Sequence, residues 1–138
     1  MSAGKAFFDT NVLLYMYSSA DARKQARARE LYREYALAGR LVLSTQVVQE
    51  FFVAGVRKLA LPRQQVQEAA TAFLDSPLVV IGPTHIRAAM ENEGRYNISF
   101  WDGLIVAAAE AAGAGVLFTE DLNDGQQYGA ILARNPFG

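Results

Sequence analysis

Short apolar runs alternate with longer amphipathic stretches along this chain, and the alternation can be read element by element. Ala6 to Phe8 is short, apolar and aromatic, as a buried strand would be. Asn11 to Tyr17 reads as a short helix, and Ala22 to Ala38 as a longer amphipathic one closed by Gly39. Leu41 to Leu43 is a second strand, after which Ser44 or Thr45 can cap a helix from about Gln46 to Leu59. Pro62 suits the first turn of the next helix, through about Leu74. Leu78 to Ile81 is a third strand, and Pro83 opens a helix to about Gly94. Ser99 begins another that runs through an alanine-rich stretch to Gly113. Val116 to Phe118 is a fourth strand and Ala130 to Ala133 a short fifth.

Strands alternating with helices predict an α/β fold whose parallel sheet is covered on both faces. No repeat, low-complexity run or linker interrupts the pattern, so residues 1–138 are expected to form one domain. Sheets of this kind bind ligands outside the carboxyl ends of their strands, where strand order reverses.

Composition narrows the class. Of the 138 residues, 51% are hydrophobic and 20% charged, which describes a globular chain and not a disordered one. No apolar stretch approaches the roughly 20 residues needed to cross a bilayer, so no membrane partner is expected. Met1 to Lys5 leads straight into a strand-like segment without a signal-peptide pattern. Cysteine is absent, which excludes disulfides and thiolate zinc sites and fits a cytoplasmic protein. A single histidine, His85, excludes mechanisms that need a pair and is expected to be structural. Net charge is −1, no advertisement for nucleic acid. Arg23, Lys24, Arg27, Arg29 and Arg33 nevertheless crowd one helix, interleaved with Glu30 and Glu34. They read either as a solvated face with i to i+3 pairs or as a ridge for RNA phosphates.

Four acids carry the candidate chemistry: Asp9 after the first strand, Glu50 in the helix after the second, Asp102 opening the alanine-rich helix, and Asp121 after the fourth strand. Each abuts an apolar run, where a charge is costly unless something compensates it. Each also has a plain structural reading. Asp9 can cap a helix, Ser99 to Asp102 spells a capping box, Asp121 suits a turn, and Glu50 borders the polar face of its helix. The metal reading draws its weight from all four falling on one side of the sheet. Magnesium, with manganese as a substitute, prefers oxygen ligands and retains water that can act as a nucleophile. A pair of such ions about 3.5–4 Å apart can stabilise both oxygens exchanged at a phosphodiester. Thr10, Asn11, Ser44 and Thr119 are candidates for orienting the carboxylates, and Asp124 is a fifth acid in a turn-like Asp-Gly context. Glu120 should point away from its neighbour Asp121, and Trp101 is expected to pack beside the site or to stack on a base.

These segments resemble the PIN domain, and specifically the VapC-like toxin ribonucleases of bacterial type II toxin–antitoxin modules. The resemblance rests on Phe8-Asp9-Thr10-Asn11-Val12-Leu13-Leu14-Tyr15, on Gln49-Glu50-Phe51, and on Trp101-Asp102-Gly103-Leu104-Ile105-Val106-Ala107-Ala108-Ala109. Thr119-Glu120-Asp121-Leu122 and the closing Asn135-Pro136-Phe137 complete it. It implies a three-layer α/β/α sandwich around a parallel sheet of about five strands. It also implies magnesium- or manganese-dependent endonucleolytic cleavage of RNA, with Asp9, Glu50, Asp102 and Asp121 in the positions of the family's metal-binding acids. Similar proteins form homodimers and are inhibited by a cognate antitoxin.

Two other classes compete. A non-catalytic RNA- or protein-binding module could keep the same fold. An aspartate-based phosphoacceptor domain also places acids at strand ends, but it needs a late lysine, and the last lysine here is Lys58.

Overall fold

The computed structural model describes residues 4–138, so most of the Met1–Lys5 lead-in lies outside the described residues. Twelve elements follow in order: β1 (Lys5–Phe8), α1 (Thr10–Tyr17), α2 (Ala22–Leu37), β2 (Leu41–Ser44), α3 (Thr45–Lys58), α4 (Arg63–Leu74), β3 (Leu78–Val79), α5 (Pro83–Tyr96), α6 (Phe100–Ala111), β4 (Ala114–Phe118), β5 (Gln127–Tyr128) and β6 (Ile131–Arg134). One six-stranded sheet runs β3-β2-β1-β4-β6-β5. Its first five strands in that order are parallel, and β5 pairs antiparallel with β6 at the edge.

Both faces of the sheet are covered. Successive strand side chains point to opposite faces, yet Ala6, Phe7 and Phe8 of β1 are all fully buried. Each such large side chain contributes about 1.5–3 kcal/mol on burial. On one flank Phe8 meets the rings of Tyr32, Tyr35 and Phe118 edge-on, and Phe51 packs at a right angle on Phe73. These contacts draw on five elements, so a single core unites the chain.

The expected elements are present with small differences of physical origin. Strand β3 stops after two residues because the Ile81 N–H donates to Thr45 Oγ1 (3.1 Å) and leaves the ladder. The helix expected to end near Gly94 continues to Tyr96 and is stopped by Asn97, which takes the left-handed conformation at φ 54°. Gly39 does close α2 as expected, at φ 69°. The sixth strand, β5, is a two-residue hairpin partner too short to show a period in sequence.

The basic residues of α2 form in part the solvated i to i+3 face considered for them, and in part tie neighbouring segments together. Arg29 Nε donates to the Met16 carbonyl, Arg27 Nε to that of Pro136, and an Arg23 guanidinium nitrogen to that of Phe137. Arg27 also pairs with Glu30 at 2.9 Å. The cluster thus fastens the end of α1 and the C-terminal segment to α2.

Candidate active site

β1 and β4 are neighbours at the centre of the sheet, and the chain leaves them toward opposite edges. This is the point where strand order reverses. Phe8 and Phe118 stand in register, and the Asp9 N–H donates to the Phe118 carbonyl at 3.0 Å. The residues just beyond, Asp9 on one strand and Thr119 to Asp121 on the other, therefore emerge side by side.

Asp9 is only 4% exposed. It caps α1, and its Oδ1 accepts from the Thr10 N–H at 2.7 Å. Its Oδ2 accepts from the hydroxyl of Thr119 at 2.7 Å. That same hydroxyl oxygen accepts from the Asp121 N–H at 3.1 Å, so Thr119 fixes two acids at once. Asp121 is exposed, and its Oδ2 accepts from Asn11 Nδ2 at 3.1 Å. Asp102 stands in the first turn of α6, where Ser99 Oγ accepts from its N–H at 3.0 Å. The capping half expected of Ser99 is therefore real, and the Asp102 carboxylate is turned to the cleft. One oxygen from each of Asp9, Asp102 and Asp121 lies within 4.8 Å of the others.

Glu50 stands just outside this triple. Its Oε1 accepts from the Thr10 hydroxyl at 2.8 Å and its Oε2 from Gln46 Nε2 at 3.3 Å. Thr10 thus joins Glu50 to Asp9 through one residue, its N–H bound to one acid and its hydroxyl to the other.

The electrostatics of the cluster are unfavourable without a counter-charge. Two carboxylates 4.8 Å apart repel by roughly 3–4 kcal/mol at an effective dielectric of 20, less where Asp121 meets solvent. Burial pushes the Asp9 carboxyl from 3.8 up to about 7; the bonds from Thr119 and Thr10 oppose the rise, and the charges of Asp121 and Asp102 add to it. Asp102 is raised as well, by burial first and then by Asp121; a hydrogen bond from Ser99 opposes the rise, and Glu50 adds a little to it. The donor set is all oxygen, which suits a hard divalent ion such as magnesium or manganese. Asn11 Oδ1 and Gln46 Oε1, on amides bonded to cluster acids, are buried without a donor and can receive one from a hydrated ion.

The other candidates sort differently. Thr10, Asn11 and Thr119 touch the acids as expected. Ser44 is fully buried and caps α3 through the Val47 N–H (3.3 Å), so it aims the helix that carries Glu50 and does not itself orient an acid. Asp124 takes the turn role that its Asp-Gly context suggested and does not join the acids: it accepts from the Asn135 N–H at 3.0 Å and lies 3.9 Å from Arg134. His85 Nδ1 accepts from the Gly82 N–H at 2.9 Å and closes the start of α5, the structural role expected. Trp101 does not pack into the protein; it is 61% exposed beside Asp102, edge-on to Phe100. Glu120 turns away from the cleft and accepts from Lys24 and from the Tyr15 hydroxyl (2.7 Å). Sequence reasoning overlooked Gln46, whose only signal was a polar residue one turn before Glu50 on the same helical face.

Beside the acids, Gln49, Glu50, Val53, Ala54, Arg57 and Lys58 line an open depression of about 400 Å³. It brings two cations of the last turn of α3 onto the Glu50 side of the cleft.

A family model described as PIN domain matches residues 6–124. No curated protein matches the chain. Among solved structures, VapC20 of Mycobacterium tuberculosis, a toxin that cleaves the sarcin–ricin loop, aligns with a TM-score of 0.71 at 19% identity, over 85% of this chain and 90% of its own. A toxin–antitoxin complex from Klebsiella pneumoniae aligns with a TM-score of 0.67 at 18% identity, over 96% and 98%. The DNA-bound VapBC of Salmonella typhimurium gives 0.69 at 16% identity, over 97% and 99%. At these identities the likeness is one of fold, spanning nearly the whole chain.

Proposed function

Since this chain belongs to the PIN domain family, as the match over residues 6–124 establishes, we propose that it is a metal-dependent endoribonuclease and the toxin of a toxin–antitoxin pair. The observation that carries the reading is the convergence of Asp9, Asp102 and Asp121 within 4.8 Å at the carboxyl edge of a parallel sheet. Asp9, Asp102 and Asp121 would hold Mg2+ or Mn2+, with Glu50 as the fourth acid at the margin of the group. When bound, such an ion supplies charge stabilisation at the phosphodiester and an acidified water as nucleophile.

The chain's own residues supply the rest. Asp9 is held at both oxygens by Thr10 and Thr119, which fixes its orientation before any ligand arrives. Thr10 holds Glu50 in place (2.8 Å), and Asn11 does the same for Asp121 (3.1 Å). Glu50 and Asp102, both partly exposed, are placed to take a proton from water or return one to the leaving ribose oxygen. Arg57 and Lys58, lining the same depression as Glu50, are placed to meet phosphates flanking the one that is cut. Trp101, exposed beside Asp102, offers a face on which a base can stack.

An RNA substrate is part of the same proposal, and an antitoxin partner is supported by the toxin–antitoxin complexes the chain resembles. A homodimer and a cytoplasmic place of action belong to the same proposal. The test is cleavage of single-stranded RNA in magnesium by wild type and by Asp102→Asn after nuclease-free purification. Wild type should cut, EDTA should stop it, and Asp102→Asn should be nearly inactive. Equal rates in both proteins would remove the hydrolase and leave a binding module.

A further inference from the structure

The two amides beside the carboxylates are half-satisfied in the same way. Gln46, in the first turn of α3, is 4% exposed. Its Nε2 donates to Glu50 Oε2 at 3.3 Å and to the Trp101 carbonyl at 3.2 Å. Trp101 directly precedes Asp102, so this one group ties the helix of Glu50 to the turn that carries Asp102. Among the described residues, α3 and α6 make few other close approaches. Asn11 repeats the arrangement on the opposite side, its Nδ2 donating to Asp121 Oδ2 at 3.1 Å.

In both amides the donor nitrogen faces oxygen acceptors, and reversing either would set oxygen against oxygen. That orientation leaves Gln46 Oε1 and Asn11 Oδ1 buried without a donor, the two side-chain atoms in this condition among the described residues. Buried carbonyl oxygens call for a donor, and ionised carboxylates around them offer none. A hard divalent cation does, because magnesium keeps several of its waters when it binds protein.

Resting on the metal-dependent reading above, we propose that Gln46 is a positioning residue of this site. Its Nε2 holds Glu50 against the α6 turn, and its Oε1 accepts a hydrogen bond from a water that arrives with the divalent ion. Asn11 Oδ1 plays the matching part beside Asp121. The amide is thus a connector with two functions, of which one operates only when the ion is present.

The test uses the full chain with Mn2+ alone as probe, comparing wild type with Gln46→Met by titration calorimetry and by thermal melting in chelator. Gln46→Met keeps the volume and removes both polar atoms. Mn2+ affinity should fall by roughly 10–100-fold, the range for groups that orient metal ligands. Metal-free melting should hardly move, since two donations are lost while a buried unmatched oxygen is removed. Cleavage should show a lower kcat with KM for RNA little changed. If Gln46→Met does not fold, Gln46→Ser carries the same comparison. Unchanged Mn2+ affinity with a lowered metal-free melting point would overturn the proposal and leave a purely structural strap. Wild type that binds no Mn2+ would instead remove the metal reading beneath it.

Discussion

Replacing Asp9 by Asn should flatten the pH dependence of stability in the metal-free protein. Burial moves the Asp9 carboxyl from 3.8 to about 7 in the folded state, while the unfolded chain titrates near its ordinary value of about 3.9. Between those limits the folded state holds a proton that the unfolded state has released, so stability falls as pH rises from about 4 to 7 and levels off above. At 1.36 kcal/mol per pH unit, the shift from 3.8 to about 7 corresponds to a loss of about 4 kcal/mol. Asparagine carries no titrating charge and can keep both neighbours. Its Oδ1 can accept from the Thr10 N–H, and its Nδ2 can donate to Thr119 Oγ1 once that hydroxyl rotates. In EDTA, Asp9→Asn and wild type should therefore unfold alike near pH 4.5. At pH 8 the variant should be the more stable, by up to about 4 kcal/mol or roughly 14 °C in Tm. A residual slope from Asp102, raised in the same direction, should remain. Urea unfolding at half-unit pH intervals measures this directly. Parallel profiles for the two proteins would show that the buried carboxyl carries no such load.

Magnesium should stabilise wild type more than Asp102→Asn, by about 2.7 kcal/mol at a hundredfold excess over Kd, and without metal the variant should melt no lower than wild type; a large metal-free loss would restore the capping-box reading of Asp102. Asp9→Asn and Asp102→Asn should each lower RNA cleavage at least about 100-fold while remaining folded by circular dichroism. Burial alone would raise the Glu120 carboxyl, but the hydrogen bonds from Lys24 and Tyr15 hold it below its ordinary value. Glu120→Gln should accordingly cost about 1 kcal/mol at neutral pH and nothing once pH falls below the folded carboxyl's range, as read by urea unfolding at pH 7 and pH 3. A Cβ at Gly103 would lie 2.7 Å from the Ala89 carbonyl oxygen, so Gly103→Ala should push α6 off α5, lower stability by about 1–3 kcal/mol and weaken Mn2+ binding by displacing Asp102.

The parts of this fold legible in sequence were those with a period or a strong stop. Long amphipathic stretches gave the helices, and the apolar triplets gave β1, β2 and β4 nearly to the residue. The edges were not legible. Two-residue pairings such as β5 are made by their partner strand, and β3 was shortened by a Thr45 hydroxyl that lies far off in sequence. Within the site, Asp9, Asp102 and Asp121 could be placed because topology sends the ends of β1 and β4 to one spot. Glu50 was read as an equal member, yet the α3 axis sets it one hydrogen bond away, through Thr10. Trp101 looked like packing by its chemistry; its position in the first turn of α6 turns it outward. Gln46 had no pattern of its own, because its importance comes from a carbonyl 55 residues away.

The two shortest strands, β3 and β5, close the opposite margins of the sheet. Ribbons of two residues offer hardly any free backbone for a stranger to zip onto, which protects the molecule against growth by strand addition. The broad surfaces left for contact are those of the helical exterior. There Val53 of α3, Leu74 of α4 and Met90 of α5 already present oily side chains to water.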